Sequence, residues 1–295
     1  MMRVMGMKRM SSRSKSSERP ALGRRSGALR GRSSFTLPAR PNAGRSGVSA
    51  KKSLGQNFLK HDQTAERIAL AAPLTSESVV LEVGPGTGKL TRALLARAKK
   101  VIAVETDERM IPLLRETFPQ ELAHGQLELL HADIRSFPLE TLPKGYQVVA
   151  NIPYYLTGEL VRQLLTAPNQ PSALTLLVQK EVAERIARAK KESLLSLSVK
   201  AFGEPLYAFT VQRGAFSPAP KVDSAVLVIQ RISRGRFASE AEEARFFALL
   251  HAGFGHKRKQ LAKNLKDAGF SLHRLPEKIR AEDLSFEDWL SLARS

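Results

Sequence analysis

Short apolar runs along this chain alternate with stretches whose apolar positions recur every three or four residues. The runs Val79–Val83, Val101–Glu105, Leu127–Leu130, Gln147–Ala150 and Ala173–Gln179 are rich in Val, Leu and Ile and are too short for helices, so they predict buried strands. Asp62–Ala72, Thr87–Ala98, Glu108–Phe118, Leu156–Leu165 and Glu181–Ala189 carry the helical spacing. Leu206–Arg213 and Val222–Ile232 predict two more strands with little helical pattern between them, so an antiparallel pair is expected. Strands alternating with helices give an α/β fold, a doubly wound and mostly parallel sheet. Arg231–Ala238 has the texture of a linker, and beyond it the pattern is helical only: Glu240–Ala252, Lys257–Ala268 and Phe286–Ala293. The expected organisation is a sheet domain over residues 51–233 and a small all-helical domain over 238–295. No internal repeat is visible.

Residues 1–50 have neither period and are rich in Ser, Arg, Gly and Pro, the composition of a disordered arm. They hold 12 Lys/Arg and a single acid, Glu18, of the chain's 47 basic and 28 acidic residues. The arm thus carries +11 of a net charge of +19, and the rest of the chain +8. A core that stays basic suits a polyanionic partner, RNA or DNA first and an anionic membrane second, although a merely soluble surface carries the same charge. Three origins of the arm stay open: a nucleic-acid-binding arm, an organelle transit peptide, or a start codon placed too early, with the true start near Val48. No apolar h-region supports a secretory signal. Cysteine is absent from the 295 residues, which excludes disulfides, thiolate chemistry and Cys-based zinc sites and fits a reducing compartment. No run approaches 18 apolar residues, so no membrane span is expected. No His/Asp constellation has metal-ligand spacing, and no metal is expected.

The chemistry begins at the first predicted strand. Val79–Val83 runs into Gly84-Pro85-Gly86-Thr87-Gly88 and then a helix. Glycines let a ligand approach the backbone, and the helix N-terminus favours polar or negative groups. Glu105 ends the next strand, where an acid can accept both hydroxyls of a ribose. The ligand should therefore contain a nucleoside. The third glycine comes too soon for a dinucleotide fingerprint, and the Lys-Ser/Thr of a P-loop is missing. Glu82, just before the loop, would repel a pyrophosphate but suit a ligand with a cationic end, as in S-adenosylmethionine. Asp133 follows the strand Leu127–Leu130 and can accept from the exocyclic amine of an adenine; the more common fate of such an Asp is a turn cap.

Asn151 ends the strand Gln147–Ala150 and joins the same edge, followed by Ile152, Pro153 and Tyr154. An exocyclic base amine is a poor nucleophile because its lone pair is delocalised into the ring. Two acceptors on its N–H hydrogens, the Asn151 side-chain carbonyl and the Ile152 backbone carbonyl, can draw the nitrogen towards sp³ geometry. Pro153 stiffens the turn. Tyr154 can lie against the base, and such stacking contributes about 1–3 kcal/mol. The base must first leave its helix. The ordinary alternative is an Asn-x-Pro turn with a core tyrosine.

These residues resemble the rRNA adenine-N6 dimethyltransferases, the KsgA/Erm group. Asn151-Ile152-Pro153-Tyr154 is similar to the N-[LI]-P-[YF] motif of that family. SLGQNFL (Ser53–Leu59), LEVGPGTGKLT (Leu81–Thr91), VIAVETD (Val101–Asp107), HADI (His131–Ile134), FSPAPKVDSAV (Phe216–Val226) and FGHKRKQLAKNL (Phe254–Leu265) resemble family segments in the family's order. The resemblance covers the chain from about Lys51 onward. It implies S-adenosylmethionine as methyl donor, with Asn57 and Leu59 covering it, Gly84 at its methionine end, Glu105 at its ribose and Asp133 at its adenine. It implies that Asn151 and Tyr154 hold the target adenine, with Phe216 near the flipped base from the far side or, alternatively, a core aromatic. The implied substrate is a pair of adjacent adenines in a hairpin loop near the 3′ end of small-subunit rRNA, within an immature small subunit, each receiving two methyls. A monomer in the cytoplasm is expected, or in an organelle if residues 1–50 are a transit peptide.

Two departures stand out. Leu194-Leu195-Ser196 replaces the usual Tyr-Gly-Arg before Leu-Ser-Val, with an expected effect on RNA contact or the wall of the site, and the arm has no counterpart in compact members. Four basic groups cluster in the core: Lys51-Lys52; Arg185, Arg188, Lys190 and Lys191; His256-Lys257-Arg258-Lys259; and Lys263 with Lys266. A solvated face is the ordinary reading of such runs, and the resemblance implies an RNA surface. The third is expected to open a helix, where cations oppose the macrodipole. Rival functions are an Erm-type large-subunit rRNA methyltransferase and a non-catalytic RNA-binding assembly or transcription factor on the same fold. A NAD-linked oxidoreductase is disfavoured by the glycine spacing.

Overall fold

A computed structural model describes residues 50–51, 54–256, 258–270 and 278–295. The expectations for the arm, for Lys52, Ser53 and Lys257 and for residues 271–277 lie outside the described residues. In chain order the elements are β1 (Phe58–Leu59), α1 (Asp62–Ala71), β2 (Val79–Val83), α2 (Lys89–Leu95), β3 (Lys100–Glu105), α3 (Met110–Thr117), α4 (Pro119–Ala123), β4 (Leu127–His131), β5 (Gln147–Asn151) and α5 (Thr157–Thr166). They continue with β6 (Ala173–Gln179), α6 (Lys180–Ala187), α7 (Leu194–Phe202), β7 (Glu204–Val211), β8 (Phe216–Ser217), β9 (Ser224–Gln230), α8 (Glu240–Gly253), α9 (Leu261–Asp267) and α10 (Phe286–Arg294).

Seven strands form one sheet in the order β4-β3-β2-β5-β6-β9-β7. The first five are parallel to one another, and β9 runs antiparallel to both β6 and β7. The expected doubly wound, mostly parallel sheet and its antiparallel pair are both present. Strand order reverses between β2 and β5, which opens a crevice at the carboxyl ends of those strands.

The apolar runs that gave no two-residue alternation are buried on both faces, as parallel strands between helices must be. Val149 faces one core with Ile68 of α1, Leu90 of α2 and Met110 of α3. Its neighbours Val148 and Ala150 face the other, with Leu160 of α5 and Ile186 of α6. That second core continues without a break into Phe246 of α8, Leu261 of α9 and Trp289 of α10. Phe202 of α7 stacks on Phe247 of α8 with ring centroids 5.6 Å apart. The segment from 238 onward therefore shares its core with the sheet, and the described residues form one compact unit within Arg45–Ser295.

Three departures from the sequence pattern concern the site. Leu194-Leu195-Ser196 lies in the first turn of α7, an unexpected helix, where Ser193 and Ser196 form a capping box. Leu194 and Leu195 pack on the larger core rather than reaching the wall of the crevice. Helix α9 begins at Leu261, so the basic run from His256 to Lys259 precedes it and does not open it. The two-residue strands β1 and β8, also unexpected, pair antiparallel, with Phe58 opposite Ser217 and Leu59 opposite Phe216.

Candidate functional site

The carboxyl ends of β2, β3 and β5 meet the segment 54–59 around a cleft of about 1100 Å³, counting the part open to solvent. Its floor is the glycine loop. Gly84 donates to the Val104 carbonyl at 2.9 Å and has open space where a side chain would stand. Gly86 has φ +55, and a Cβ there would lie 2.9 Å from the Phe58 ring, so only glycine fits beneath that ring. Gly88, at φ +80, turns the chain into α2.

Glu105 holds the loop in place. Its Oε2 accepts from the Gly86 N–H at 3.0 Å and its Oε1 from the Asp107 N–H at 2.8 Å. Burial raises its pKa, while these backbone donors pull it back down. Asp107, 3% exposed, accepts from Gln56 at 2.9 Å and from the Arg109 guanidinium at 2.6 Å. The Arg109 hydrogen bonds hold its carboxyl well below the usual carboxylate range. Through Gln56 this ion pair anchors the segment that covers the glycine loop.

Across the cleft, Asn151 ends β5. Its Nδ2 donates to the backbone carbonyl of Asn57 at 3.0 Å. No group among the described residues donates to its Oδ1, and Asn151 lines the cleft. Pro153, at φ −55, leads into the 3₁₀ turn Tyr154–Leu156. The Tyr154 hydroxyl lies 2.7 Å from Ser224 Oγ, and burial raises the phenol pKa. Tyr154 is therefore neutral and unsuited to act as a base near neutral pH.

A family model described as "Ribosomal RNA adenine dimethylase" matches residues 47–295. The chain belongs to the ribosomal RNA adenine dimethylase family. Among curated relatives, "Ribosomal RNA small subunit methyltransferase A" of Dehalococcoides mccartyi is 40% identical over 259 residues, covering 83% of this chain and 88% of the relative. Two solved structures are also similar. A dimethyladenosine transferase from Plasmodium falciparum has a TM-score of 0.66 at 28% identity, covering 80% of this chain and 95% of the other. The 23S rRNA methyltransferase ErmE has a TM-score of 0.65 at 28% identity, covering 81% and 98%.

Six of the residues expected from the sequence line one cleft in this dimethylase: Asn57, Leu59, Gly84, Glu105, Asp133 and Asn151. Tyr154 lines it too. S-adenosylmethionine, the family's methyl donor, fits this set: an open glycine floor for its amino-acid end, a buried carboxylate at the end of β3 for a ribose, and a second carboxylate beside it. Asp133 is already engaged, however. Both its oxygens accept from the Arg135 side chain, at 2.6 Å for the shortest bond, and Oδ1 also caps the turn Ile134–Ser136. The turn-cap fate and the cleft position are both realised.

Two expectations need correction. Phe216 is fully buried in the core that carries α1 and α2, opposite Leu59 in the β1–β8 ladder, and is absent from the cleft lining. It packs beneath the cover of the cleft, which realises the core-aromatic alternative. Glu82 does not face the ligand space either. Alternation along β2 turns it to the Val80 face, towards α2, where it is fully buried. Its polar neighbour is the Thr91 hydroxyl, but no hydrogen bond of good geometry reaches either carboxylate oxygen. Burial pushes its pKa up to about 8.

Sequence reasoning missed Gln56, Phe58, Arg135 and Tyr155 as cleft residues. Gln56 and Phe58 stood inside a quoted motif, but their partners Asp107 and Gly86 are distant in sequence. Much of the second basic cluster is internally engaged: Arg185 pairs with Glu181, Arg188 stacks over the Tyr207 ring at 3.8 Å, and Lys191 bonds Glu282 at 2.5 Å.

Proposed function

We propose that this chain is an S-adenosylmethionine-dependent rRNA adenine-N6 dimethyltransferase acting on small-subunit rRNA. The observation that carries this reading is the Asn151 side chain, whose nitrogen is committed to the Asn57 carbonyl and whose oxygen is left to accept from a substrate amine beside the neutral Tyr154 ring. The name of the Dehalococcoides relative supports the small subunit as target.

Gly84, Glu105, Asp133, Asn57 and Leu59 would hold the donor at its methionine, ribose and adenine ends and beneath its cover. When bound, S-adenosylmethionine supplies a methyl group on a cationic sulfonium, electrophilic enough that no strong protein base is obligatory. The protein's own part is positioning. Asn151 Oδ1 and the Ile152 carbonyl accept the two N–H hydrogens of the adenine N6, and the Tyr154 ring supports the base face. The Glu105 bond to Gly86 keeps the loop in its ligand-ready shape. The amine proton leaves to solvent.

The finer reading is two adjacent adenines in a 3′-proximal hairpin loop, each dimethylated, in an immature small subunit, by a monomer in the cytoplasm. The segment 51–233 supplies the chemistry and 238–295 the RNA-binding surface. The test uses small subunits lacking the modification, methyl-labelled S-adenosylmethionine, and wild type beside Asn151→Ala. Up to four methyls on two neighbouring adenines, absent in the variant, are expected. Binding without transfer by the wild type would point to an assembly factor, and transfer to large-subunit RNA alone to an Erm-type large-subunit rRNA methyltransferase.

A further inference from the structure

Strand β9 reads SAVLVIQ and is buried along almost its whole length. Ser224 is its one buried hydroxyl, with 0% exposure. Burying a hydroxyl costs free energy unless it is paired. The only side-chain partner of Ser224 among the described residues is the Tyr154 hydroxyl, 2.7 Å away and 70 residues earlier in the chain.

The mounting of Ser224 is stiff. Its backbone stands between Gln179 on β6 and Val211 on β7, paired to both. Asp223, the residue before it, is also tied on two sides: its carbonyl accepts from Lys180 N–H at 3.0 Å and its Oδ1 from Arg213 N–H at 2.9 Å. Tyr154, in contrast, sits in a single 3₁₀ turn after Pro153, at the rim of an open cleft. Held only at its Cα, such a ring could turn about both side-chain torsions. Held at its hydroxyl as well, the ring has its long axis fixed and can no longer swing out of the cleft wall.

We infer that Ser224 is a positioning residue for methyl transfer, which fixes the place and axis of the Tyr154 ring against which the target adenine stacks. The inference rests on the dimethyltransferase reading above. Asn151 sets the amine and Ser224, through Tyr154, sets where the ring stands, so the base is positioned from two different strands, β5 and β9. Ser224 itself touches neither base nor methyl donor. Its effect reaches the reaction only through the tyrosine hydroxyl.

That restriction makes a decisive test. Ser224→Ala, Tyr154→Phe and the double variant are compared with wild type in single-turnover methyl transfer to unmodified small subunits at saturating RNA. Affinity for S-adenosylhomocysteine is measured by calorimetry, and folding by thermal melting. Each single variant is expected to transfer about five- to tenfold more slowly, the factor for one missing hydrogen bond. The double variant should be no slower than the slower single one, with cofactor affinity unchanged in all three. A Ser224→Ala rate equal to wild type overturns the inference. So does a further rate loss from Ser224→Ala in the Tyr154→Phe background, because Ser224 would then act by another route. Wild-type protein that methylates no rRNA would overturn the functional reading and this inference with it, a result distinguishable from the other two.

Discussion

Asn151 Nδ2 donates to the carbonyl of Asn57, 94 residues earlier, at 3.0 Å. A backbone carbonyl accepts and cannot donate, so this bond sets which end of the amide faces the cleft. The orientation the chemistry needs is thus built into the covering segment.

Asn151→Asp should consequently fail as completely as Asn151→Ala. A carboxylate has no hydrogen to give the Asn57 carbonyl and would meet it oxygen to oxygen. Both variants are expected to lose about 10²–10³-fold in single-turnover rate, the scale for removing one preorganised polar group. Aspartate retaining more than a tenth of wild-type activity would show that the carbonyl does not set the amide.

Glu105→Gln should weaken the donor site without unfolding the protein. Glu105 accepts two backbone N–H bonds, from Gly86 and Asp107. An amide can accept only one and turns its NH₂ on the other donor, leaving a buried group unpaired, a loss of about 1–3 kcal/mol. Calorimetry with S-adenosylhomocysteine is expected to give at least tenfold lower affinity with melting largely retained.

Glu82 gives the fold a pH dependence. Its folded pKa lies near 8 against an ordinary value of 4.5. The folded state therefore holds a proton that the unfolded chain has released between those values. The stability linked to it is fully present below about pH 4.5 and is lost as pH rises towards 8, with a slope on the order of 1 kcal/mol per pH unit. Glu82→Gln removes that slope. The melting temperature of the variant relative to wild type should climb from pH 5 to pH 8 and then level off, and a constant difference would rule out a buried neutral carboxyl at Glu82.

Arg258→Glu with Lys259→Glu tests the basic run ahead of α9. Arg258 is exposed, and Lys259 has a 3.5 Å partner in Asp267, too loose and solvated to hold it. Affinity for small subunits should fall, and the slope of log K against log salt should shrink by about two, one for each phosphate that the protein no longer neutralises. Unchanged binding would leave this run as solvated surface.

The sheet was legible because its strands are buried on both faces, and continuous apolar runs such as Ala173–Gln179 admit few other readings. The cleft was legible because glycine loop, Glu105 and Asn151 all sit where strands end, and strand ends converge. What escaped was set by partners distant in sequence. LLSLSVKAF became α7 through a serine capping box and the aromatic cluster around Phe202. The two-residue ladder of β1 and β8 has no periodicity of its own. Glu82 was misplaced because nearness to the loop in sequence was allowed to outweigh the two-residue alternation of its strand. For Phe216 both readings stood open, near the base or a core aromatic, because its motif says nothing of which side of the ladder the ring occupies; the ring takes the core side.

The ladder of β1 and β8 also imposes an order of events. The covering segment lies near the start of the described chain, yet its strand partner, and the serine that holds Tyr154, come only after β2 to β7 have been made. A chain emerging from the ribosome would carry the glycine loop, Glu105 and Asn151 for most of its synthesis without a finished site around them. Pairings of such long sequence separation form late. Methyl transfer is thus tied to completion of the polypeptide: a chain interrupted before β8 keeps the glycine loop, Glu105 and Asn151 but lacks the strand and the serine that complete the site around them.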